Sequence, residues 1–142
     1  LGPVMEKILQ LKEKVQKKLK LYGLRPTRAR IRIGMMLLDS PTHLSADQIY
    51  ESLVEKGHSI SKATVYNTLN HFARSGLVSE VAVNPTRMYY DSTTLSHHHF
   101  YNVDTGQLTD IPREELTVEN IPKLPDNTQI EDLEIVIKIK NK

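Results

Sequence analysis

The chain predicts an α+β protein of two small units, helices closed by a β-hairpin in residues 1–94 and strands with one short helix in residues 95–142. Three observations carry that expectation. Apolar residues recur at helical spacing in four stretches before residue 76, and strand-like alternation with turn signals takes over afterwards. The short polar run 91–95 then separates two stretches of opposite charge. Residues 1–94 hold 14 Lys and Arg against 8 Asp and Glu, a balance of +6, whereas residues 95–142 hold 5 against 9, a balance of −4. A basic unit joined to an acidic one suits a protein whose first half meets a polyanion.

Taken in order, Leu1-Gly2-Pro3-Val4 precedes Met5 and is set aside as a candidate tag remnant. Residues 6–22 place Ile8, Leu11, Val15, Leu19 and Tyr22 at helical spacing among lysines, with Gly23 as a stop. Thr27 is an N-cap for a second helix with Ile31, Met35 and Leu38 inward, ended by Ser40-Pro41. Arg25, Arg28, Arg30 and Arg32 gather at its start, where guanidinium groups and free backbone N–H groups suit phosphate. Ser45-Ala46-Asp47-Gln48 is a capping box for a third helix, expected to bury Ile49, Leu53 and Val54 and to end at Gly57. Ser61 caps a fourth, Lys62 to Ser75, with Val65, Leu69 and Phe72 inward and Lys62, Thr64, Asn67 and His71 outward. Two short helices joined by a few residues, the second showing polar side chains at its N-terminal end, form the helix-turn-helix pattern.

Leu77 to Val83 and Arg87 to Asp91 read as a hairpin about Asn84-Pro85-Thr86, which makes a wing with Arg87 near its tip. The fold expected for 1–94 is therefore a winged-helix DNA-binding domain, with a hinge at 92–96. Residues 95–142 read β-β-α-β: strands over Phe100 to Val103 and Leu108 to Ile111, a helix near Glu114 to Asn120 opened by Pro112, and a last strand with Leu133, Ile135, Ile137 and Ile139 on one face. So small an α/β unit has little core of its own, which points to a dimerisation domain and a homodimer on a palindromic site.

Between the units stands Ser96-His97-His98-His99-Phe100, holding three of the six histidines. In extended chain His97 and His99 share one face and His98 takes the other. Imidazoles suit iron, zinc or copper, and haem iron also takes an axial histidine, so His97, His98 and His99 are all haem candidates. With no cysteine there is neither disulfide nor thiolate metal site. No apolar run approaches a membrane span and no signal peptide is apparent, which gives a cytoplasmic expectation without membrane partners.

Leu24-Arg25-Pro26-Thr27, His43-Leu44-Ser45-Ala46-Asp47-Gln48-Ile49-Tyr50, Ala63-Thr64-Val65-Tyr66-Asn67-Thr68-Leu69 and the His97–His99 run together resemble the ferric uptake regulator family over nearly the whole chain. Within it, the histidine run and missing cysteines look most like the haem-responsive iron response regulators. The resemblance implies a regulatory metal site at His43, Asp91, His97, His99 and Asp110, and a DNA surface at Arg25, Arg28, Arg30, Lys62, Thr64, Tyr66, Asn67 and Arg87. It also exposes departures. The family's structural four-cysteine zinc site is absent, its first pair falling at Asn102 and Thr105. Asn67 follows Tyr66 where many members carry arginine; asparagine bonds adenine and an aromatic packs on a thymine methyl, which fits an AT-rich target.

These readings give a non-enzymatic, dimeric transcriptional regulator of iron or haem homeostasis, switched by haem or a divalent metal at the hinge. The alternative is an iron-, manganese- or zinc-dependent repressor without haem sensing. A metal-dependent hydrolase comes last, because no general base stands apart from the ligands.

Overall fold

A computed structural model of the chain describes residues 2–84, 87–94 and 97–142. Pro85 and Thr86 of the expected wing turn, and Leu95 and Ser96 of the expected hinge, lie outside the described residues. The chain divides into two compact units, Leu1–Thr94 and Leu95–Lys142.

The first unit runs α1 (Pro3–Leu21), α2 (Arg28–Leu38), β1 (His43–Ser45), α3 (Ala46–Glu55), α4 (Lys62–Ser75), β2 (Ser79–Asn84) and β3 (Arg87–Asp91). Pro3 and Val4, set aside as remnant, form the first turn of α1. Thr27 caps α2 by accepting from the Arg30 amide at 3.3 Å, and Ser45 and Gln48 complete both bonds of the capping box on α3. Gly76 ends α4 at φ 83°, a left-handed conformation open to glycine at little cost. The core is fully buried at Val15, Leu19, Ile33, Leu37, Ile49, Val65, Leu69 and Phe72. Two inward assignments shift. On α2 the buried stripe is Ile33, Gly34, Leu37 and Leu38, with Ile31 and Met35 only partly buried against it. Val54, expected inside, is 48% exposed, because Ile49 and Leu53 already fill the face of α3 that meets the core.

Sequence periodicity did not reveal β1, three residues long. It pairs antiparallel with β3, which pairs on its other edge with β2, giving the order β1-β3-β2. The register of β2 on β3 shifts between Ala82 and Asn84.

The second unit holds β4 (His98–Asn102), β5 (Leu108–Ile111) and β6 (Val136–Ile139) in the order β5-β4-β6. β4 and β5 are an antiparallel hairpin, and β6 joins β4 in parallel, so residues 112–135 form the crossover. The helix expected over 114–120 is reduced to one 3-10 turn, Arg113–Glu115, after which Leu116 is already extended. Thr117 and Val118 are β-branched, Pro122 ends any helical run, and the segment lies on the surface rather than against a core that would reward a helix. Val118, Ile121, Leu124, Ile130 and Leu133 are exposed along it. The last strand is shorter than its alternation suggested, with Ile135, Val136 and Ile137 half-buried and Leu133 and Ile139 exposed. Among the described residues no helix is long and apolar enough to cross a membrane.

Candidate metal ligands and nucleic-acid interface

Strand pairing brings the expected ligands of the first unit together. His43 opens β1 and lies in register with Asp91, the last residue of β3. The Asp91 side chain is 1% exposed; its Oδ2 stands 3.7 Å from His43 Nε2, while its Oδ1 accepts from the Thr93 amide at 2.8 Å. One carboxylate oxygen thus anchors the chain leaving the sheet and the other faces an imidazole.

In the second unit the alternation read from the histidine run is observed. His99 pairs in register with Asp110 across β4 and β5, and His97 precedes the strand on the same side. His97 Nε2 and His99 Nε2 lie 2.9 and 3.3 Å from the one oxygen Asp110 Oδ1, their rings 4.4 Å apart. Glu134 Oε1 adds a further carboxylate, 3.9 Å from His99 Nδ1, which the sequence reading missed. His98 faces away, its Nδ1 accepting from the Ile135 amide at 3.1 Å. That bond ties β4 to the start of β6.

The donor set fits a hard or borderline divalent cation. Imidazole nitrogen and carboxylate oxygen suit iron, manganese or zinc, and nitrogens already gathered on one carboxylate become ligands on losing their protons. For haem the fit is poorer. A porphyrin needs open space beside its axial ring, yet His98 and His99 are buried and the His97 Nε2 is engaged with Asp110.

Where the family's first cysteine pair would stand, hydrogen bonds close the same turn. Asn102 Oδ1 accepts from the amides of Asp104 and Thr105 at 2.9 and 3.1 Å. Its Nδ2 donates to Asn141 Oδ1 at 2.9 Å, and Asp104 Oδ2 accepts from the Asn141 amide at 2.9 Å. The polar turn was legible in Asp104-Thr105-Gly106; its link to the far end of the chain was not.

The expected DNA-contacting residues fall on the first unit. Lys62, Tyr66 and Asn67 are exposed on α4, and Thr64 is half-buried with its Oγ1 2.9 Å from the capping Ser61 Oγ. Arg25 and Arg28 are exposed, as is Arg87 at the start of β3. Arg30 differs in role: its Nη1 donates to the Arg25 carbonyl at 3.0 Å and its Nη2 lies 3.1 Å from His71 Nδ1, so it braces α2 against α4. Asp47, unassigned from the sequence, accepts from Tyr66 OH at 3.1 Å and stands 4.0 Å from Lys62 Nζ, which in turn lies over the Tyr50 ring. The Tyr66 phenol is held above its ordinary pKa by desolvation first, then by Asp47.

Comparison with known proteins places this geometry. The chain is 38% identical over 101 residues to the peroxide operon regulator of Bacillus subtilis, a match covering 71% of this chain and 69% of that one. It is 35% identical over 88 residues to the peroxide-responsive repressor of Staphylococcus epidermidis, covering 62% and 59%. Among solved structures, the ferric uptake regulator of Vibrio cholerae superposes with a TM-score of 0.68 at 25% identity, covering 89% of this chain and 98% of that one. Neither sequence relative is named for haem. Residues 22–138 match the ferric uptake regulator family, so the chain belongs to that family of DNA-binding, metal-responsive transcription regulators, which are not enzymes.

Proposed function

We propose that the chain is a dimeric repressor whose affinity for operator DNA rises when divalent metal is held by the histidine and carboxylate groups that each unit brings together, His43 with Asp91 in the first and His97 and His99 with Asp110 in the second. The observation that carries this reading is the convergence of His97 and His99 on Asp110, matched in the first unit by His43 facing Asp91. When bound, the metal would supply a fixed positive charge for imidazole and carboxylate donors that each unit has already brought together. The chain's own part is positional: β-sheet register sets His43 against Asp91 and His99 against Asp110.

Family regulators bind DNA as dimers with metal effectors, and solved relatives are described with manganese, iron or zinc. The exposed apolar side chains of the crossover in the second unit support pairing with a second copy. Exposed Lys62, Tyr66 and Asn67 on α4 support reading of a groove, with an AT-rich palindrome as the target. The buried rings of His98 and His99 favour a metal ion over haem as the effector.

The test is equilibrium dialysis with Mn²⁺ and fluorescence anisotropy on duplexes selected from a random pool. Wild-type protein is expected to bind a selected duplex more tightly with Mn²⁺ than with chelator, and His97→Ala and Asp110→Ala to lower Mn²⁺ affinity by at least the roughly 10-fold that loss of a mere outer-shell partner costs. Metal-independent DNA binding would refute the switch. A peroxide response is a second reading, supported by the names of both sequence relatives. Loss of DNA binding after peroxide treatment of the Fe²⁺-loaded but not the Mn²⁺-loaded protein would establish it.

A further inference from the structure

We propose that Asp47 is a positioning residue that sets the sequence specificity of α4, although as an acid it cannot itself contact a phosphate favourably. The inference rests on the DNA-binding reading above and adds a residue which that reading leaves unused.

Asp47 sits in the first turn of α3, where the unpaired amides and dipole of the helix favour a carboxylate. Its Oδ1 lies in reach of both cationic and aromatic side chains of α4: Tyr66 OH donates to it at 3.1 Å and Lys62 Nζ stands 4.0 Å away. Lys62 Nζ is also 5.5 Å from the centre of the Tyr50 ring, so a second residue of α3 guides the same ammonium. Tyr66 remains 42% exposed, a large apolar ring presented to solvent with its hydroxyl tethered.

A free tyrosine on a helix surface samples several χ1 rotamers, and freezing one on binding costs affinity. The tether removes that freedom beforehand, and it fixes which base step the ring edge meets. The same carboxylate, exposed beside α4, also repels the phosphate backbone. Non-specific affinity, which is nearly all electrostatic, is thereby kept low. Both effects raise the ratio of specific to non-specific binding.

The experiment uses full-length, Mn²⁺-loaded protein and anisotropy on a duplex selected by the wild type and on a scrambled duplex of the same composition, over a range of salt. Asp47→Ala is expected to lower the specific-to-scrambled ratio about 5-fold to 10-fold, the scale of one lost hydrogen bond. Asp47→Asn keeps an acceptor for Tyr66 while removing the charge, so it is expected to tighten binding to both duplexes and keep most of the ratio. Tyr66→Phe should also lower the ratio, and adding it to Asp47→Ala should lower it no further, since the tether is then already gone. Circular dichroism identifies any variant that fails to fold, and Asp47→Asn supplies the readout in that event. Equal effects of Asp47→Asn and Asp47→Ala, or additive effects of Asp47→Ala and Tyr66→Phe, would overturn the proposal. A wild type with no preference for any duplex would instead remove the DNA-binding reading on which it stands.

Discussion

Replacing Asn102 by alanine tests how the second unit is fastened without cysteines. The side chain makes three hydrogen bonds, two accepted from the Asp104 and Thr105 amides and one donated to Asn141. Asn102 is half-buried and its partners are exposed, so water replaces part of each bond and the lower end of the usual range applies. At roughly 0.5–1 kcal/mol each, the three contribute about 1.5–3 kcal/mol. The backbone bonds of the same turn, Gly106 N–H to Asn102 O and Asn102 N–H to Gln107 O, do not depend on the side chain, and they keep the turn from collapsing outright.

The loss should be local, which selects the assay. Amide hydrogen exchange on the full chain reads the opening free energy at Val103 and Asn141, with the amides of α4 as an internal reference in the other unit. Asn102→Ala is expected to lower protection at Val103, whose amide bonds the Ile139 carbonyl beside the turn, by about 10-fold to 100-fold. α4 should be unaffected. Asn102→Asp keeps both accepted bonds, and the Asn141 amide can turn its nitrogen toward the new carboxylate, so its effect should be smaller. Protection at Val103 unchanged in Asn102→Ala would refute the claim that this cluster does the fastening.

Two further predictions concern the first unit. Gly34 lies buried in α2, where an added Cβ would come to 2.7 Å from Val15 Cγ1 of α1; overpacking of about 1–3 kcal/mol then outweighs the helix-propensity gain of about 1 kcal/mol, so urea denaturation should show Gly34→Ala less stable than wild type, and a more stable variant would contradict the close approach. The Tyr90 phenol is pushed above its ordinary pKa by burial first and then by Glu80 and Tyr66, so its neutral form contributes stability that is complete below the unfolded value and is lost as pH rises through the folded one; wild type should therefore lose more stability than Tyr90→Phe between about pH 9 and pH 11, and equal losses would count against it.

How far the sequence could be read depended on whether its signals were local. The four helices were legible because caps and periodicity are written in adjacent residues: Thr27, Ser45 and Ser61 cap as expected, and Val65, Leu69 and Phe72 are fully buried on α4. The alternation that sends His98 away from His97 and His99 is equally local. What failed was non-local. A strand of three residues such as β1 exists only because β3 pairs with it. The expected helix over 114–120 had the right opening proline, yet the segment is exposed apart from half-buried Leu116, so little burial stabilises a helix there. Arg30 reads as one more cation in a basic run until His71, 41 residues away, appears beside it. The family resemblance supplied His43, which composition alone would have left as a surface residue before a capping box.

The placement of His43 explains how a ligand could be felt at the DNA surface within one unit. His43 is two residues from Ser45, which is both the last residue of β1 and the N-cap of α3. Two residues further on, Asp47 holds Tyr66 on α4. On the other side, Asp91 ends the strand that begins with Arg87 beside the wing turn. A cation drawn to His43 and Asp91 would therefore clamp the β1–β3 pair at the point from which the two elements proposed to face DNA are suspended. Energy passes between sites where an element has two arrangements that each site biases. The element to watch is the Ser45 cap. If metal tightens DNA binding through β1, Ser45→Ala, which loosens the start of α3 by about 1 kcal/mol, should reduce the metal-induced gain in operator affinity more than it reduces metal affinity itself. A proportional loss of both would mean that the metal acts by another route.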